Sequence, residues 1–167
     1  MITGHQLREE FLSPQMHFYF ERKLAPLPSE DVVVQIEELL KYLNMAVHCN
    51  GDIPVSKDID EVWHLWILQT QQYEELCARL SGGVFLHHSS NDYALFTDPG
   101  AKDRKIDRTI GISILASYVM NYGPFEADRL KYWPLAAKLA ESLGDVGRLN
   151  ALLQSESQST AAQGEAR

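Results

Sequence analysis

The 167-residue chain has only two cysteines, Cys49 and Cys77. That excludes a zinc site built mainly of thiolates and, without a secretory signal, favours separate thiols over a disulfide. No stretch approaches the roughly 18 to 20 consecutive apolar residues that a membrane span requires. The opening "MITGHQLREEFLSP" lacks the basic-then-apolar order of a signal peptide, so a cytoplasmic location is expected. The 15 Lys and Arg residues are scattered against 23 Asp and Glu, a net charge of −8 with no basic stripe. Nucleic-acid binding is not expected from such a surface, nor attraction to an anionic membrane. A protein partner is compatible with it. Local metalloenzyme spacings such as HExxH or HxH are also missing, so any metal site must be assembled from histidine and carboxylate on separate elements.

What is present is an ordinary globular composition, 45% hydrophobic and 23% charged, enough for one domain with its own core. The pattern predicts a mainly α, single-domain helical bundle of about five to seven helices with one long ordered loop. Ser13-Pro14 reads as an N-cap and first helical position, followed by Met16, Phe20 and Leu24 at helical spacing. Ser29 is expected to cap the next helix, with Glu30 and Asp31 in its first turn and Val32, Ile36, Leu39 and Leu43 as its apolar stripe. Asn50-Gly51 reads as its stop. Asp58 and Glu61 have capping-box spacing, opening a single helix that runs to about Leu80 and ends at Gly82-Gly83. "VFLHH" is either an extended piece or an ordered loop, and residues 89–105 have turn chemistry throughout. Helical periodicity resumes from Ile106, stops at Gly123-Pro124 and restarts at Trp133-Pro134, with a last short helix after Gly144-Asp145. The domain is expected to span residues 1–154, and the polar stretch 155–167 to form a disordered tail.

The densest segment is "DIDEVWHLWILQTQQYEELC", residues 58–77. At about 100° per residue, Ile59, Val62, Trp63, Trp66, Thr70, Tyr73 and Cys77 share one face, which is a core stripe. His64 lies off that stripe, on a flank with Asp60 and Gln71. An Asp at i and a His at i+4 can meet, as a simple ion pair or as a carboxylate orienting a functional imidazole. His87 and His88 follow in "FLHH". In an extended segment adjacent side chains point to opposite sides, so one of the two could face His64. Two histidines and a carboxylate would suit a divalent transition metal, zinc or iron, with an open position for water or substrate. His5, His17 and His48 have no such context.

This order of residues resembles the glycine-rich domain-containing protein-like family. The match falls on Asp60, Trp63, His64, Thr70, Tyr73, Cys77, Gly83, Phe85, His87 and His88, with a weaker echo in Tyr122, Gly123, Trp133 and Pro134. The chain lacks a glycine-rich region and carries an extra glycine at Gly82-Gly83, so it resembles a short stand-alone unit of bacterial type. The resemblance implies a helical domain but no settled activity.

The residues then support two readings. In the first, His64, Asp60, His87 and His88 bind a metal or small ligand, with an enzyme as one form of it. His64 and Asp60 would be the catalytic candidates, and Tyr73 and Cys77 would line or support the cofactor site. In the second, the chain is a non-catalytic interaction or regulatory module in which the Trp-His motif serves structure.

Overall fold

The computed structural model describes residues 1–48, 54–88 and 108–164. Among these are eight α-helices, one short 3₁₀ turn and no strand. The helices are α1 (Gly4–Phe11), α2 (Pro14–Lys23), α3 (Ser29–Ala46), α4 (Lys57–Ile67), α5 (Thr70–Arg79), α6 (Arg108–Tyr122), α7 (Pro134–Leu143) and α8 (Val146–Gly164), with the 3₁₀ turn at Leu130–Tyr132. The mainly α expectation holds, with more helices than the sequence pattern implied.

Two differences account for the larger number. The first helix, α1, is set by a capping box: Thr3 Oγ1 accepts from Gln6 N, and the Gln6 side chain accepts from Thr3 N. The stretch read as one helix from Asp58 to Leu80 is two, broken at Leu68-Gln69, where Gln69 leaves helical geometry at ψ 70°. Neither glycine nor proline marks the break. It lets Trp66 and Leu76, on consecutive helices, both enter the core.

Smaller corrections concern the caps. The N-cap of α4 is Ser56, whose hydroxyl accepts from Ile59 N, so Asp58 sits inside the first turn. Pro28 precedes α3, and the Ser29 hydroxyl instead donates to Glu21. Ser13 does cap α2, and Gly144, at φ +101°, ends α7 in the left-handed conformation that glycine tolerates best. The segment after Gln154, expected to be disordered, continues α8 to Gly164, with Ser155 and Ser157 hydroxyls donating to carbonyls three residues back. Cys49, the stop at Asn50-Gly51 and the loop 89–105 lie outside the described residues.

Helix α3 is the centre of the fold. It packs against α1, α2, α4 and α6, while α8 lies along α6 and α7. Because it has neighbours on several sides, it buries charge as well as hydrocarbon. Val32, Ile36, Leu39, Leu40 and Leu43 are fully buried, and so is Glu38. The Glu38 carboxylate accepts from Lys41 Nζ at 2.7 Å, Trp133 Nε1 at 2.8 Å, Tyr118 Oη at 3.1 Å and an Arg129 guanidinium nitrogen at 3.2 Å. Glu37 completes the cluster with Arg129 at 3.3 Å and Arg8 at 3.4 Å. A buried carboxylate is tolerable only when its lone pairs are met in this way. No helix among the described residues is long and apolar enough to cross a membrane.

Candidate metal centre

Helix α4 presents two faces. Ile59, Val62, Trp63 and Trp66 are buried, as the stripe predicts. Asp60 and His64 leave that face one turn apart, with side chains 45% and 49% exposed. Gln71 does not share their flank, because it belongs to α5 and bonds Glu75 at 3.0 Å. Thr70, assigned to the stripe by the same continuous-helix geometry, is exposed at the start of α5.

The chain then returns to α4. After α5, Gly82 (φ +94°) and Gly83 (φ +58°) turn it in left-handed conformations, and residues 83–88 cross back as an irregular strap. Two hydrogen bonds fix the strap's course. Tyr73 Oη donates to the Leu86 carbonyl at 2.6 Å and itself accepts from Trp63 Nε1 at 2.9 Å. Phe85 rests edge-on against Tyr73, with ring centroids 5.3 Å apart. Burial is the main reason the Tyr73 phenol is pushed well above its ordinary pKa; the Trp63 hydrogen bond opposes the shift and Cys77 adds to it.

With Leu86 pinned, the next two side chains diverge. His88 turns inward, 14% exposed, its ring edge-on to Trp63 at 4.4 Å and to His64 at 4.3 Å. His87 points away, exposed, and packs on Phe85 at 5.0 Å. The structure thus brings Asp60, His64 and His88 together and leaves His87 outside. Each of the three offers a ligand atom, all within 4.8 Å of one another, and among the described residues this is the group of His, Cys, Asp and Glu side chains that could hold an ion. Cys77 is 1% exposed, behind Tyr73 on α5, and brings no accessible atom to the group.

The hydrogen bonds specify the donors. His64 Nδ1 lies 2.7 Å from the Asp60 carbonyl, which can only accept, so Nδ1–H is the donor of that bond. His88 Nε2 lies 2.9 Å from Asp60 Oδ1 and donates to that carboxylate. Asp60 Oδ2 is 3.4 Å from His64 Nδ1. Zinc–ligand bonds near 2.0 to 2.1 Å place neighbouring tetrahedral ligands about 3.3 Å apart. One ligand atom from each side chain lies within 4.8 Å of the others, so a bound metal would draw them closer, and a ring nitrogen that now donates to Asp60 would have to give up its proton or leave coordination to the other nitrogen of its ring. An imidazole with Nδ1–H bound to a backbone carbonyl is also the form in which metal-bound histidines are held.

The buried Glu38 cluster was not singled out from the sequence. Glu38 and Lys41 stand at i and i+3, the spacing of an ordinary solvated pair, and only the packing around α3 distinguishes them.

Comparison with protein-family models, with curated proteins and with solved structures gives no match to this chain.

Proposed function

We propose that the chain is a small metal-binding domain in which Asp60, His64 and His88 hold one divalent transition metal, zinc or iron. The observation that carries this reading is the convergence of two imidazoles and a carboxylate within 4.8 Å on a partly exposed flank. Two histidines and one carboxylate leave coordination positions free, and both His64 and Asp60 are open to solvent on one side. A metal held this way supplies Lewis acidity to a bound water or ligand. Asp60 serves either as a ligand or as the carboxylate that orients His88. Kinship with the glycine-rich domain-containing protein-like family belongs to the same proposal and rests on Asp60, Trp63, His64, Tyr73 and His88.

The test is metal content of the purified protein and its melting temperature with added Zn²⁺ or Fe²⁺. One equivalent of metal, or a saturable stabilisation lost in His64→Ala, supports the reading. No metal and no shift in either protein overturns it, and leaves the three residues as a hydrogen-bonded brace.

A further inference from the structure

A series of aromatic rings runs from the α4 flank to the buried Glu38 cluster. Trp63 lies edge-on to His88 at 4.4 Å, Tyr42 edge-on to Trp63 at 5.3 Å, Trp133 against Tyr42 at 6.5 Å, and Tyr118 edge-on to Trp133 at 5.0 Å. Ring contacts of this kind are ordinary core packing. Two features set this series apart. After His88 every member is an indole or a phenol, side chains that give up one electron readily. Trp66, equally buried on the same helix, instead meets Phe20, which does not.

The second feature is the way the series ends. Trp133 Nε1 and Tyr118 Oη donate to the same Glu38 oxygen, Oε2, at 2.8 and 3.1 Å, while Lys41 and Arg129 hold Oε1. A phenol that loses an electron becomes a strong acid and must shed its proton. At Tyr118 a carboxylate stands at hydrogen-bond distance to take it, and even one held by Lys41 and Arg129 is basic enough. Lys41 Nζ, 2.9 Å from the phenol oxygen, then remains as its donor. Tyr73, the phenol bonded to Trp63, offers its proton to the Leu86 carbonyl, which is too weak a base to remove it. Tyr118 and Glu38 are also both buried, so a radical formed there is shielded from solvent.

We propose that this series carries one-electron oxidation from the α4 flank to Tyr118, with Glu38 as the proton acceptor. The oxidant is an outer-sphere radical of the class of the carbonate radical anion. It takes one electron from Trp63 beside His88 and leaves as carbonate. The Trp63 radical cation is refilled through Tyr42 and Trp133 by an electron from Tyr118. The Tyr118 O–H bond then breaks, and its proton goes to Glu38 Oε2. The products are a neutral Tyr118 radical and a protonated Glu38. The route does not rest on the metal reading, since Trp63 meets the flank through the His88 ring with or without an ion.

The experiment is flash photolysis of the metal-free, full-length protein, with tris(bipyridine)ruthenium(III) generated by the flash as the one-electron oxidant. Transient absorption should show a tryptophan radical that converts to a tyrosyl radical. Tyr118→Phe, which keeps the ring, should lose at least two thirds of the tyrosyl yield. Trp63→Phe should slow tyrosyl formation at least fivefold, and Trp66→Phe, an equally buried control on the same helix, should change it less than twofold. Transfer in D₂O should be at least twofold slower, because the Tyr118 proton moves with the electron. A tryptophan radical that decays without a tyrosyl signal, or a full tyrosyl yield in Tyr118→Phe, overturns the proposal. Equal slowing in Trp63→Phe and Trp66→Phe overturns the route. An unchanged rate in D₂O overturns the role of Glu38.

Discussion

His88 Nε2 lies 2.9 Å from Asp60 Oδ1, a contact that joins a strap residue to a helix residue 28 positions earlier. It exists because the Tyr73 hydroxyl holds the Leu86 carbonyl in place, so that the second of two adjacent histidines faces inward.

Tyr73→Phe removes that anchor while keeping the ring. The Leu86 carbonyl and the Trp63 indole N–H each lose their protein partner, a loss of about 1 to 3 kcal/mol in stability by denaturant unfolding. Metal affinity should fall on the order of 10- to 100-fold, the usual effect of removing a group that orients a ligand. A protein that loses stability but keeps full affinity would show that the strap does not position His88.

The adjacent histidines should behave unequally. His88→Ala should abolish stoichiometric Zn²⁺ binding by calorimetry, and His87→Ala should leave it within about twofold, since His87 only packs on Phe85. Equal losses would mean that the strap can present either ring.

How far the site was legible follows from these residues. Ile59, Val62, Trp63 and Trp66 reveal their buried face through helical spacing alone, and Asp60 and His64 stand out by leaving it. Parity says that one of His87 and His88 faces inward, but which one depends on where Tyr73 anchors the strap. That anchor lies on α5, whose start at Thr70 has no glycine or proline to announce it. The Thr3 and Gln6 capping box was present in the sequence at its usual spacing, unlike the break at Gln69, which follows from the packing of Trp66 and Leu76. Charge burial at Glu38 was not legible, because an i,i+3 acid–base pair reads the same on a solvated face.

Glu38→Ala should be among the most destabilising single changes in the chain. It leaves Lys41 buried and Arg129 partly buried without their shared carboxylate, a cost of about 3 to 5 kcal/mol. Melting temperature should fall on the order of 10 °C. A change of a degree or two would mean that water solvates the cluster.

Alkaline pH should destabilise the fold before it reaches the folded-state tyrosines. Tyr73 and Tyr118 are both held above the ordinary phenol pKa mainly by burial, with Glu38 adding to the effect at Tyr118. In the unfolded chain they ionise near about pH 10. Above that pH the unfolded state binds fewer protons than the folded state, so stability drops as pH rises. Melting temperatures from pH 8 to 11 should decline beyond pH 10, and Tyr118→Phe should decline less steeply. A flat profile would contradict the burial of both phenols.

The most direct test of the metal centre is anomalous diffraction from crystals grown with Zn²⁺. One peak is expected, within about 2.0 to 2.3 Å of an Asp60 oxygen, a His64 nitrogen and a His88 nitrogen. Crystals with no peak between α4 and the strap, and Asp60 still hydrogen-bonded to both rings, would contradict it.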